Sequence, residues 1–229
     1  MTLKMTLRMI RTDWIAIKMH HWRLIIMAGI VVFFGISGLT MTTIPVAAYM
    51  ALAYSVNTFA VEENGKLDSL LLTLPLSRKD IVRGRYVFMG AALLIGLCIG
   101  GVVVCIASPN MRLGDLYMGV TVSSVALMCS LGFAFGGFIN LCMFPALFHL
   151  GYEKGKIWGF YLPLFTMSAV VSAAGVMSNL NAFMPKILNW MTYWGEHTVF
   201  VCAVMLGIGA GLMFVSYLLS VWLYERRDV

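Results

Sequence analysis

Between Leu24 and Val61 the chain reads LIIMAGIVVFFGISGLTMTTIPVAAYMALAYSVNTFAV, a run of 38 residues without one Asp, Glu, Lys or Arg. Crossing the hydrocarbon core of a bilayer takes about 20 apolar residues, so this run is too long for a single span. It predicts a tight helical hairpin. The first helix is expected near Leu24–Leu39 and the second near Thr43–Ala60, with the turn around Thr40–Pro45. The rest of the chain has the same character. Of its 229 residues, 61% are apolar and 11% charged, whereas a soluble domain carries roughly 25% charged residues. That balance excludes a disordered chain, a disulfide scaffold and a water-soluble enzyme domain. It leaves an all-α integral membrane protein, because helices satisfy their own backbone groups in lipid. At roughly 35 residues per helix and loop, the length holds about six transmembrane helices and no large extramembrane domain. Residues 1–229 therefore read as a single transmembrane domain.

Outward from the hairpin, the uncharged stretch Tyr86–Met111 supplies the third span. Leu116–Asn140 supplies the fourth, with an interfacial tail to Leu150 after Pro145, and Ile157–Met177 and Thr198–Tyr224 supply the fifth and sixth. Residues 1–22 differ from these. Leu3, Leu7, Ile10, Trp14 and Ile17 recur at steps of three and four, beside a stripe of Lys4, Arg8, Arg11 and Lys18. Such a pattern fits a helix lying in the membrane surface with its cations among lipid headgroups; a basic arm that only fixes topology is the alternative. The charges extend too far along the chain for the n-region of a cleaved signal peptide.

The net charge of +6 follows the loops. Of the 16 Lys and Arg, only Arg112 and Lys186 fall on one side of the expected spans. The positive-inside rule puts the other side, with both termini, in the cytoplasm, which predicts a multi-pass membrane protein. Residues 178–197 would then be an extracellular interfacial segment carrying Phe183, Trp190, Tyr193 and Trp194. It reads as an aromatic belt at the headgroups or as a gate.

Catalytic motifs are missing. There is no Gly-x-x-x-x-Gly-Lys-[Ser/Thr], no His-Glu-x-x-His and no Gly-x-Ser-x-Gly, so no cofactor or metal is expected on this chain. The five cysteines lie inside apolar runs and read as packing residues. His20, His21 and His149 read as interface residues. No ionisable residue falls in the middle of an expected span, which argues against proton- or sodium-coupled transport. Asn57, Asn140, Ser123, Ser124 and Ser130 are read as interhelical hydrogen-bond formers or as the lining of a path, and the many glycines as close-packing faces. Among these, Gly207-x-x-x-Gly211 is a candidate dimer seam.

The polar stretch after the hairpin is the informative one: Glu62-Glu63-Asn-Gly-Lys66-Leu67-Asp-Ser-Leu70-Leu71-Leu-Thr-Leu74-Pro75-Leu-Ser77-Arg78-Lys79-Asp80-Ile-Val-Arg-Gly-Arg85-Tyr86. Leu67, Leu70, Leu71 and Leu74 have helical spacing and form an apolar ridge. Pro75 ends that helix because it lacks an N–H and restricts Leu74. Ser77 is an N-cap with Asp80 as its acidic partner, so a new helix starts at about Arg78. Residues 62–80 thus form a cytoplasmic segment whose ridge meets lipid or a protein.

This string resembles the mark of ABC-2 type transporter permeases. It is most similar to the small Gram-positive branch that includes the permeases of phenol-soluble modulin exporters. The resemblance implies a type-V-exporter-like fold of six spans with an N-terminal interfacial helix. It also implies that residues 62–80 are a coupling segment docked on a separate ATPase subunit. The ATPase contact would involve Glu62, Glu63, Lys66, Leu67, Leu70, Leu71, Arg78 and Lys79, with Glu153 and Lys154 as a second, smaller contact. Pro75, Ser77 and Asp80 would act as the hinge. ATP and Mg2+ would sit on the partner, two ATPase copies would serve two permease chains (a homodimer or a heterodimer), and an amphipathic or hydrophobic cargo would leave outward. The implied partners are the ATPase, the second permease and membrane lipids, with no nucleic acid. The rival readings are a membrane anchor that holds a partner without transport, a membrane enzyme and a passive channel.

Overall fold

The computed structural model describes residues 21–37, 40–64, 78–107, 122–161, 165 and 196–226. Helix α1 runs over His21–Ile36, α2 over Thr40–Ser55 and α3 over Asn57–Asn64. Helix α4 spans Arg78–Ala107, α5 Val122–Lys156 followed by a π turn at Ile157–Tyr161, and α6 Thr198–Glu225.

The expectation of six membrane-spanning helices is overturned. Among the described residues, three helices are long and apolar enough to cross a membrane, within Lys79–Ala107, Ser123–Gly155 and Thr198–Glu225. The hairpin does not fill the role read into its composition. Helices α1 and α2 have 16 residues each, about 24 Å at the usual rise per residue, short of a hydrocarbon core about 30 Å thick. Local side-chain bonds accompany both helix ends. Ser37 Oγ donates to the Phe33 carbonyl at 2.7 Å where α1 ends. Between α2 and α3, Ser55 Oγ donates to Ala51 O, Asn57 Nδ2 to Tyr54 O and Thr58 Oγ1 to Ser55 O. Short polar side chains that bond nearby carbonyls compete with the helix ladder, and here three of them cluster in four residues. The expected fifth span, Ile157–Met177, opens on the π turn, and from 162 on it lies outside the described residues except Phe165. The expected interfacial helix (residues 1–22) and the outer segment (178–197) also fall almost wholly outside them.

The fourth expected helix runs past its expected end at Asn140, because α5 continues through Pro145 to Lys156. Gly151 breaks it with φ 76°, a left-handed value that glycine alone adopts without strain. After that break the chain folds back so closely that a Cβ on Gly155 would lie 2.9 Å from Leu147 Cα.

The core joins α2, α4 and α5. Ile44, Leu52, Met89, Leu93, Met143, Phe144 and Leu147 are fully buried in it. Small residues set the helix approach. A Cβ on Gly96 would lie 2.8 Å from Ala47 O, and one on Gly137 would lie 2.7 Å from Gly209 O, so α4 meets α2, and α5 meets α6, backbone to backbone. Helix α6 otherwise shows its surroundings a continuous apolar face that includes Val199, Phe200, Phe214, Leu218 and Trp222.

Candidate functional site

The ends of α3, α5 and α6 and the start of α4 gather at one end of the bundle. Lys79 Nζ lies 3.2 Å from Glu225 Oε1, tying the first turn of α4 to the last turn of α6. One turn further in, an aromatic cluster holds all four helices. Phe59 of α3 packs edge-on against Phe148 of α5 at 5.1 Å between centroids and against Phe144 at 5.7 Å. Phe148 meets Tyr224 of α6 at 5.5 Å. Tyr86 of α4 stacks parallel to Phe148 at 6.4 Å and meets Tyr217 of α6 edge-on at 5.4 Å.

Arg85 sits inside this cluster at 5% exposure. Its guanidinium carbon is 4.1 Å from the centroid of Phe59 and 5.8 Å from that of Phe148. A guanidinium keeps its charge under all ordinary conditions and is weakly hydrated for a cation. A desolvated contact with an aromatic face contributes about 2 kcal/mol, which offsets part of the cost of burial. The sequence reading counted Arg85 only among the cytoplasmic cations and missed its burial. The available signal was its position on the helix expected to start at Arg78, two turns in and beside Tyr86.

Next to Arg85, Tyr86 begins a chain of hydroxyls through the bundle. Ser216 Oγ donates to the Asn140 carbonyl at 3.0 Å. Its only proton is thereby used, so Tyr86 O–H donates to Ser216 at 2.7 Å and Ser220 O–H donates to Tyr86 at 2.8 Å. The order Ser220, Tyr86, Ser216, Asn140 links α4, α5 and α6. The sequence reading nominated Asn57, Asn140, Ser123, Ser124 and Ser130 for interhelical bonds or for the lining of a path. Ser130 bonds a carbonyl of its own helix, Asn57 Nδ2 donates across the α2–α3 break to Tyr54 O, and Asn140 joins α6 through its backbone carbonyl. The Asn140 side chain is fully buried, and neither of its polar atoms has a hydrogen-bond partner among the described residues.

The expected contact residues divide into three groups. Glu62 and Glu63 belong to the last turn of α3, and Arg78, Lys79 and Asp80 to the first turn of α4, where the acidic Asp80 complements the helix dipole. Glu153 and Lys154 are exposed on the fold-back after Gly151. Lys66, Leu67, Leu70, Leu71, Pro75 and Ser77 lie outside the described residues. Both helices flanking that segment therefore enter the same aromatic cluster, α3 through Phe59 and α4 through Arg85 and Tyr86. Among the described residues no group of three or more His, Cys, Asp or Glu could hold a metal ion.

A family model described as ABC-2 family transporter protein matches residues 8–225. The chain belongs to the ABC-2 transporter family. Comparison with curated proteins gives no match. This ABC-2 protein is a membrane permease-type bundle with long apolar helices, and permeases of its family generally work with ATPase subunits. The arrangement at the α3–α6 end suits such a component: charged termini at the surface, and beneath them an aromatic layer that joins four helices.

Proposed function

We propose that this chain is the permease subunit of an ATP-driven exporter, with ATP and Mg2+ bound by a separate ATPase that docks on residues 62–80. Glu62, Glu63, Lys66, Leu67, Leu70, Leu71, Arg78 and Lys79 make the main contact, and Glu153 and Lys154 the smaller one. Pro75, Ser77 and Asp80 form the hinge. This end of the bundle faces the cytoplasm, as the distribution of Lys and Arg implies. Two permease chains and two ATPases make the working unit in a bacterial plasma membrane. The cargo is amphipathic or hydrophobic, a peptide or lipid-like molecule of the kind handled by phenol-soluble modulin exporters. Closure of the ATPases on ATP shifts the balance between two arrangements of the helices by binding one more tightly than the other.

The observation that carries this reading is the two-point mounting of the proposed docking segment. It leaves α3 and enters α4 at one aromatic cluster, so a push on it reaches α4, α5 and α6 together. Substitution at the ridge tests it. Leu71→Asp places a charge where apolar contact is proposed, and the folded permease should lose its ATPase on purification while staying in the membrane. Undiminished ATPase binding by this variant would refute the docking assignment. A permease that holds a cytoplasmic protein without ATP hydrolysis would favour the anchoring module instead.

A further inference from the structure

We propose that the stack of Arg85 on Phe59 is the joint that transmits movement of the docking segment to the long helices, a role that rests on the exporter reading above. Arg85 and Phe59 are positioning residues here, acting through the helices that carry them and not on ATP or cargo. Three observations converge on the pair. It is buried, with Arg85 at 5% and Phe59 at 6% exposure. It bridges the helix that ends just before the segment and the one that begins just after it, at 4.1 Å from guanidinium to ring. It also touches a third element, because Phe148 of α5 meets both Phe59 at 5.1 Å and the guanidinium at 5.8 Å.

The chemistry of the contact suits a joint better than a static core would. A flat, delocalised cation on a flat ring can slide or tilt by a fraction of an ångström without losing its attraction, whereas a hydrogen bond weakens steeply off axis. The charge cannot leave the cluster for water without breaking the apolar packing around it. Motion of α3 therefore carries Arg85, and with it α4, while Phe148 carries α5. Lysine is a poor replacement because its ammonium is compact and strongly hydrated, and leucine at position 59 keeps apolar bulk but removes the ring face.

The test separates hydrolysis from movement. The permease is purified with its ATPase in lipid nanodiscs, in a background where the five native cysteines are replaced. Spin labels are attached through Ile106→Cys at the far end of α4 and Val199→Cys at the far end of α6. The distance between them is measured without nucleotide and after trapping with ATP and vanadate. The unaltered pair should show a shifted distance on trapping. Arg85→Lys and Phe59→Leu should each retain the ATPase and hydrolyse ATP within about twofold of the parent, yet show no shift. A full shift in both variants overturns the joint, and so does a loss of hydrolysis in step with the shift. If a variant fails to purify, Arg85→Met, which keeps the apolar stem, is measured in its place against the same criteria. Failure of the parent to retain an ATPase is a separate outcome: it refutes the exporter reading, and the joint falls with it.

Discussion

A methyl group added at Gly137 would lie 2.7 Å from the carbonyl oxygen of Gly209 and 3.1 Å from its Cα. Both neighbours are backbone, so no side chain can turn aside. Relief requires α5 and α6 to separate by most of an ångström, and overpacking of this kind costs about 1–3 kcal/mol. Alanine usually favours a helix over glycine by about 1 kcal/mol. That gain largely cancels here, because a helix denatured within a micelle keeps its backbone bonds. Gly137→Ala should therefore lower stability by about 1–3 kcal/mol. Gly207 and Gly211 are internal controls on α6, since among the described residues no neighbouring heavy atom outside the adjacent backbone lies within 4 Å of a Cβ built at either. Gly207→Ala and Gly211→Ala should leave the chain's own stability within about 0.5 kcal/mol. Reversible unfolding in mixed detergent micelles, titrated with a denaturing surfactant and followed by tryptophan fluorescence, gives the three values side by side. Equal effects at positions 137 and 207 would refute the backbone contact between α5 and α6. If Gly207-x-x-x-Gly211 is a dimer seam, its alanine variants will alter association while leaving the monomer's unfolding unchanged.

Three further outcomes follow from the polar groups. Tyr86→Phe removes the middle hydroxyl between Ser216 and Ser220 and should cost about 0.5–1.5 kcal/mol in the same unfolding assay; no loss would show that the hydroxyl chain does not join the helices. Asn140→Leu should raise stability by about 1 kcal/mol, because it removes two buried polar atoms without partners while the backbone carbonyl that accepts from Ser216 remains; a marked loss of stability would mean that the amide is paired in the membrane. Glu225→Gln breaks the ion pair with Lys79, which is 61% and 45% exposed on its two sides, and should change stability by at most about 1 kcal/mol, less at high salt.

The membrane class was legible in composition, because no soluble fold tolerates so few charges. The long helices α4 and α6 were legible too, since each pairs a long uncharged stretch with charges at an end. The hairpin itself stands as α1 and α2, but each of its helices is shorter than a span. Absence of charge shows that a stretch can enter lipid, not how long each of its helices is. The expected number of spans failed on helix length. Arg85 was hidden by a counting rule that assigns every basic residue near a span to the loop, although an arginine can bury its charge against rings supplied by distant parts of the chain. The pairing of Tyr86 with Ser216 and Ser220 joins residues 130 and 134 positions apart, and nothing in local spacing announces it. The proposed docking segment rests on its leucines, Pro75, Ser77 and the resemblance they carry, and residues 65–77 lie outside the described residues.

The most direct test of the account is co-purification of this permease with a co-expressed candidate ABC ATPase subunit, followed by vanadate-sensitive ATP hydrolysis in lipid. The account predicts a stoichiometric complex that hydrolyses ATP and is lost in the Leu71→Asp variant. A permease that purifies folded from lipid without an ATPase, or one whose complex survives that substitution intact, would contradict it.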